Sequence, residues 1–172
     1  MRSVRLVLIL IALTRVVFTS ALGCTSTEDI LKAYGLEPDN LSGKNLAWLD
    51  LRSVTLTGKD MSRSDLSGVD FSGAVLDHAK FDNANLRNAR FSVVYTGGTY
   101  EWPRLRGASL KSADLTDAIV EGADLTGVDL RMANLARAKL QPAFRRTRGG
   151  NLISSGTCLT GADLRHANLQ CA

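Results

Sequence analysis

The sequence is poor in the residues that build metal sites and catalytic centres. Its 172 residues include three cysteines and two histidines, and its aromatic residues are five Phe, three Tyr and two Trp. No cysteine pair has zinc-finger spacing, and neither a phosphate-binding glycine loop nor a nucleophile elbow is present. We therefore predict a protein that is not an enzyme and has no cofactor or metal, with a narrow core of aliphatic side chains.

The sequence also lacks an apolar run of about 20 residues, the length that spans a bilayer. Its N-terminus instead has the layout of a secretory signal. Arg2 and Arg5 precede the short apolar run of residues 6–14, and Ala21-Leu22-Gly23 offers small residues for cleavage. We predict a signal peptide over residues 1–23 and export to a secreted, periplasmic or organelle-lumen compartment. The alternatives are a retained anchor and a misplaced start codon.

Cys24 follows the predicted cleavage point, near Ala21–Cys24, which makes it a candidate for lipidation. The residues before it fit a bacterial lipobox poorly, so a free or disulfide-bonded cysteine is the alternative. Removing residues 1–23 takes away three arginines and no acid, which leaves 18 basic and 17 acidic residues. A net charge of +1 gives no long-range field for nucleic acid or a membrane, and we expect neither as a partner.

What is present is an apolar residue at every fifth position, in 22 units. The centres are Leu41, Leu46, Leu51, Leu56, Met61, Leu66, Phe71, Leu76, Phe81, Leu86, Phe91, Leu105, Leu110, Leu115, Val120, Leu125, Leu130, Leu135, Leu140, Leu159, Leu164 and Leu169. Two residues before each centre a small residue is frequent, the position between is mostly Asp or Asn, and the second position after is often Gly. A period of five suits neither an α-helix at 3.6 nor a flat strand at 2. It predicts short straight segments with two inward side chains, separated by corners and stacked so that backbone groups pair between coils.

The Ala-(Asp/Asn)-Leu pattern, seen at 113–115, 123–125 and 162–164, resembles the pentapeptide-repeat family. The resemblance implies an all-β fold, a right-handed quadrilateral β-helix with four pentapeptides per coil. Residues 20 apart then lie on one face, so we expect Phe71 and Phe91 to stack and Phe81 to project from the opposite face.

The family resemblance also bears on function. It favours an exported structural or protein-interaction module with an unknown protein partner. The alternative is a DNA mimic that inhibits a topoisomerase or another DNA-binding protein, as some family members are. Such a mimic needs a strongly negative rod, and the near-neutral charge and the signal peptide speak against it.

The repeats occupy residues 37–172, with interruptions at 92–104 and 141–157. Before them, residues 24–36 contain acids, apolar residues and a terminal Gly35, which predict a short helix that caps the first coil. No comparable helix follows Leu169, so the last coil is exposed, frayed or a candidate surface for a homodimer.

Both interruptions are candidate partner-contact loops, with solvated loops as the alternative. The first has a hairpin signal, Thr96-Gly97-Gly98-Thr99, and carries Tyr100 and Trp102. The second carries Arg145, Arg146 and Arg148, which suit an anionic partner.

The remaining polar residues have a structural interpretation. The aspartates lie in a fixed repeat column, where we expect them to bond nearby backbone, and His78 and His166 lie in the corner column. Cys158 and Cys171 either pair or stay free. Asn40-Leu41-Ser42 is a glycosylation sequon in a eukaryotic host.

Overall fold

The computed structural model describes residues 27–38, 40–146 and 152–172 and divides the chain into two units, Met1–Leu41 and Ser42–Ala172. The described residues of the first unit include a helix, α1 (Thr27–Ala33), with Glu28 and Asp29 in its first turn. Gly35, two residues after the end of the helix, has a φ of 70°, and the Leu36 N–H bonds the Leu31 carbonyl at 3.0 Å. The predicted signal peptide lies outside the described residues, and the capping role of α1 stays a prediction.

The second unit is a right-handed quadrilateral β-helix, as the repeat predicts. One ladder of parallel bridges passes through Asn45, Asp65, Asn85, Asp114, Asn134 and Asn168, and we call its side of the coil face 1. Faces 2, 3 and 4 follow along the chain and begin at Asp50, Thr55 and Asp60. Each face repeats after 20 residues where the chain is uninterrupted, and N–H groups bond the neighbouring coil, as from Leu46 to the Asp65 carbonyl at 2.8 Å.

The core is formed by the repeat centres and the small residues two positions before them. Leu66, Phe71 and Phe81 have no exposed surface. Phe71 and Phe91 stack on face 2 with ring centroids 5.4 Å apart, and Phe81 meets Phe71 edge-on at 5.9 Å. The expected arrangement of the three rings is therefore confirmed.

Each corner is a β-turn that needs a left-handed residue two positions after the centre. The Ala74 N–H bonds the Phe71 carbonyl at 3.0 Å across the turn, and Gly73 between them has a φ of 68°. The same conformation occurs at non-glycine corners, including Trp48 with a φ of 65° and Met132 with a φ of 59°. Large residues are thus accepted at these corners, because the turn imposes a positive φ whatever the side chain of the corner residue.

The Asp and Asn column bonds the backbone at the start of each corner. The Ser72 N–H donates to Asp70 Oδ1 at 2.9 Å, and the Thr116 N–H donates to Asp114 Oδ1 at 3.0 Å. Between coils, Asn85 Nδ2 donates to Asp65 Oδ1 at 2.9 Å. These bonds confirm the structural interpretation of the aspartates.

The remaining strands are short. β1 (Arg90–Phe91) pairs in parallel with β4 (Ile119–Val120) on face 2. The interruptions form two antiparallel hairpins, β2 (Val94–Thr96) with β3 (Thr99–Glu101), and β5 (Ala143–Arg146) with β6 (Leu152–Ser155). Both hairpins leave the coil between face 2 and face 3, so one corner carries both insertions.

Candidate interaction site

The hairpin β2–β3 is joined by Gly97 and Gly98, both of which have positive φ, 59° and 89°. Two consecutive left-handed residues form the turn that matches the twist of an antiparallel pair, which is why the Thr-Gly-Gly-Thr motif predicts a hairpin here. Val94 pairs with Glu101 and Tyr95 pairs with Tyr100.

The hairpin rests on Gly73, the face 2 to face 3 corner of the coil before it. A Cβ at Gly73 would lie 2.5 Å from Val94 Cγ2 and 3.2 Å from Glu101 Cβ. Because glycine lacks that atom, the inward side chains of β2 and β3 pack directly against the corner. Glu101 Oε2 is enclosed there and has no hydrogen-bond partner among the described residues.

The outward side of the hairpin carries a row of aromatic rings. The Tyr95 and Tyr100 rings lie 4.8 Å apart, and those of Tyr100 and Trp102 lie 6.5 Å apart. The structure thus brings together the two predicted contact residues of this loop. Sequence reasoning missed Tyr95, which is 59% exposed and is recognisable from the cross-strand register on either side of the two glycines.

Beside the hairpin a groove of about 630 Å³ runs along face 3. Its volume falls within the range of natural ligand sites. The face 3 ladder contributes the floor and the hairpin contributes one wall. The lining includes Thr55, Val75, Arg104 and Asp124 from the ladder and Tyr100 and Trp102 from the hairpin.

Two arginines of the groove, Arg104 and Arg106, are each held by one aspartate. Arg104 Nη2 donates to Asp77 Oδ2, whose side chain is only 10% exposed, and the Arg106 N–H donates to Asp77 Oδ1 at 3.0 Å. Arg106 Nε donates to Asp124 Oδ2. The bond to Asp124 raises the pKa of Arg106 above its ordinary value.

Asp124 is ionised in this arrangement. Burial alone would raise its pKa, but hydrogen bonds from the Thr126 hydroxyl, Arg106 and the Thr126 N–H hold the pKa of Asp124 below its ordinary value. Neither Asp77 nor Arg106 was predicted as a site residue. The contact between Arg104 and Asp77 spans the first insertion, because the two residues are 27 apart in the sequence. Only the face register reveals it.

The other predicted site residues belong to the second hairpin or lie outside the described residues. Arg145 and Arg146 belong to β5, the first strand of the second hairpin. Arg148 and Cys24 lie outside the described residues, so their predicted roles stay predictions. Cys158 and Cys171 are both free thiols.

A second, smaller hollow of about 450 Å³ lies on face 4, between Asp60, Lys80 and Asp82. It carries no aromatic side chain. Within the described ranges no three His, Cys, Asp or Glu side chains are grouped so as to hold a metal ion, and no helix there is long and apolar enough to cross a membrane.

Comparison with known proteins identifies the repeat. The family model for pentapeptide repeats matches residues 60–92 and 104–141 in eight copies. Comparison with curated proteins finds no match. Among solved structures, the pentapeptide repeat protein Rfr23 from the cyanobacterium Cyanothece 51142 is 23% identical, with 75% of this chain and 82% of that chain covered and a TM-score of 0.51.

Two further structures align over a similar share of the chain. A pentapeptide repeat protein from the Arabidopsis thaliana thylakoid lumen is 24% identical, covering 76% of this chain and 68% of that chain with a TM-score of 0.28. The plasmid-mediated fluoroquinolone resistance protein QnrB1 is 17% identical, covering 78% and 86% with a TM-score of 0.28. With eight copies matched and a coil that repeats every four pentapeptides, residues 60–92 and 104–141 consist of pentapeptide repeats.

Proposed function

We propose that this protein is a non-enzymatic, exported protein-interaction module whose contact surface is the hairpin β2–β3 with the groove beside it. The observation that carries the proposal is the row of Tyr95, Tyr100 and Trp102 held over face 3 by a rigid coil. Aromatic side chains and arginine are the residues most enriched where proteins bind one another. Loops mounted on rigid scaffolds are a common place for such contacts.

The surface can be tested by removing its central aromatic side chain. We expect the Trp102→Ala variant to lose at least about tenfold in affinity for its partner, the loss typical of a hot-spot tryptophan. The measurement is affinity capture from the compartment that holds the protein, with quantitative mass spectrometry of the captured proteins against the unchanged chain, followed by titration of the captured partner.

The matched control is Trp48→Ala. Trp48 is 72% exposed and lies at a different corner, against Gly68 and away from the groove. We expect this variant to keep the partner. If both variants capture the same proteins in the same amounts as the unchanged chain, the hairpin is not the contact surface.

Export is the second part of the proposal and is supported by the signal-like residues 1–23. We expect the full-length chain, expressed in its host, to be recovered from an extracytoplasmic fraction with an intact mass that begins at Leu22 or Cys24. A diacyl or triacyl addition at Cys24 would make the module membrane-tethered. An uncleaved chain in the cytosol would contradict export, and inhibition of a topoisomerase would then be the function to test.

A further inference from the structure

We infer that Arg104 and Arg106 bind carboxylate groups of an extended acidic segment of the partner protein, laid along face 3 beside the hairpin. This inference rests on the proposed function, since it assumes that the groove is the contact surface, and it adds the chemistry of the partner. Three features of the groove support it: uncommitted arginine donors, their placement along the coil axis, and the adjacent aromatic wall.

The first feature is the incomplete pairing of these two guanidinium groups. Four arginines elsewhere on the coil direct both Nε and Nη2 to one aspartate, a geometry that uses the whole fork. They are Arg52, Arg131, Arg137 and Arg165, bound to Asp50, Asp129, Asp117 and Asp163. Arg104 and Arg106 instead each commit one guanidinium nitrogen, Nη2 and Nε respectively.

An arginine side chain has five N–H donors, so most of the donors of Arg104 and Arg106 remain available. The two side chains are 48% and 59% exposed, whereas those of Asp77 and Asp124 are 10% and 22% exposed. The aspartates therefore hold the arginines from below, and the groove presents N–H donors to a ligand. Oriented, paired arginines lose less side-chain entropy on binding than free ones.

The second feature is the placement of the two groups. Arg104 and Arg106 flank the inward Leu105, so both project from face 3. Asp77 belongs to the coil before them and Asp124 to the coil after them, which draws the two guanidinium groups apart along the coil axis. Two separated donor groups suit an extended chain with acidic residues at alternate positions, whose side chains lie on one side about 6.8 Å apart.

The third feature is the wall formed by Tyr100 and Trp102, which offers apolar contact to a side chain of the same segment. This wall and the carboxylates favour a peptide over a nucleic acid. A nucleic acid carries a phosphate on every unit and would bring successive phosphates against Asp124 and Glu101, which line the same groove. A peptide carries its charges only where its sequence places them.

The test uses labelled, N-acetylated heptapeptides with Glu at positions 3 and 5 and Ser, Leu or Trp at the other positions, measured by fluorescence anisotropy against the full chain. We expect at least one peptide to bind about tenfold more tightly than its counterpart with Gln at both positions, because charged hydrogen bonds to arginine are the strong ones. We expect Arg104→Gln with Arg106→Gln to remove that preference. If no acidic peptide exceeds its Gln counterpart, the inference is wrong.

The control variant is Arg87→Gln. Arg87 also forms a single bond to an aspartate, Asp114, but lies on face 1. The Arg87→Gln variant should leave peptide affinity unchanged, and its unfolding temperature shows what loss of one such ion pair does to stability.

Arg104→Lys with Arg106→Lys keeps both charges but not the forks, and we expect it to bind as weakly as the Gln pair. Equal binding by the Lys pair and the unchanged chain would overturn recognition through the fork.

The outcomes also separate this inference from the proposed function. If the Trp102→Ala variant loses the captured partner and the double Gln variant keeps it, the result supports the hairpin surface and refutes the carboxylate site. Retention in both variants refutes the surface itself. A labelled single-stranded oligonucleotide that binds more tightly than every acidic peptide, and loses affinity in the double Gln variant, would refute a protein ligand.

Discussion

The second residue after each repeat centre determines how tightly the chain turns. At this position φ is positive for glycine and for side chains as large as those of Trp48 and Met132. A left-handed conformation costs a non-glycine residue about 1–2 kcal/mol, so the stacking of coils must outweigh that cost at each such corner. Glycine is required in addition where another group comes close, as at Gly73 under the hairpin.

These two demands on glycine can be separated by one pair of substitutions. Gly58 has a φ of 69°, and a Cβ added there would have nothing within 4 Å, whereas at Gly73, with a φ of 68°, that atom would lie 2.5 Å from Val94. We expect Gly58→Ala to lower the free energy of unfolding by about 1 kcal/mol, the conformational cost alone. Gly73→Ala should cost about 1–3 kcal/mol more, because the hairpin must shift.

Urea unfolding followed by circular dichroism measures both changes. Titration of the Trp102-dependent partner gives a second readout, in which only Gly73→Ala should weaken binding, since only Gly73 supports the hairpin. Equal stability losses in the two variants would show that the hairpin does not depend on this corner.

At the scale of elements, the regular part of the molecule was predictable because one period governs it. The stacking of Phe71 on Phe91 follows from a repeat of 20 residues, and the β2–β3 hairpin follows from Gly97 and Gly98. The strands β5 and β6 were not predicted as strands. Their sequence, Ala-Phe-Arg-Arg and Leu-Ile-Ser-Ser, lacks a clear alternation, and the Gly149-Gly150 pair lies within a connection of five residues rather than a two-residue turn.

The candidate site was only half predictable, for a related reason. Tyr100 and Trp102 stand out as aromatic residues in a loop, and the sequence suffices to select them. Arg104 resumes the repeat after an insertion whose length hides its register, so its contact with Asp77 on the preceding coil was missed. The common corner of the two hairpins was missed likewise, although counting pentapeptides across each insertion would have revealed it.

At the scale of the whole molecule, the stability of the fold at low pH depends on the aspartates of the coil and the groups that bond to them. Six described aspartates have a pKa below the ordinary value of 3.8, namely Asp60, Asp114, Asp117, Asp124, Asp129 and Asp163. The largest resolved shift is that of Asp163, whose pKa falls to about 2, chiefly through its hydrogen bond from Arg165. At a pH between its folded-state pKa and its unfolded-state pKa, each of these aspartates binds fewer protons in the folded chain than in the unfolded chain.

The sign of the pH dependence follows from that difference. A lowered pKa in the folded state adds stability that is complete above the unfolded pKa, near 3.8, and is lost as the pH falls towards the folded pKa, near 2 for Asp163. We therefore expect stability to be nearly constant above about pH 5 and to decline between about pH 4 and pH 2. Urea midpoints measured from pH 7 to pH 2 would show this decline.

The contribution of Asp163 to this decline can be isolated with Arg165→Gln, which removes the donor that lowers the pKa of Asp163. We expect the variant to lose part of its stability at neutral pH and to fall less steeply between pH 4 and pH 2. Lys44→Gln removes the same charge from a residue whose side chain makes no ion pair within the described part of the chain, and it should keep the slope of the unchanged protein. The same slope in all three proteins would mean that the Asp163–Arg165 pair forms equally in the unfolded chain, and that the coil does not impose it.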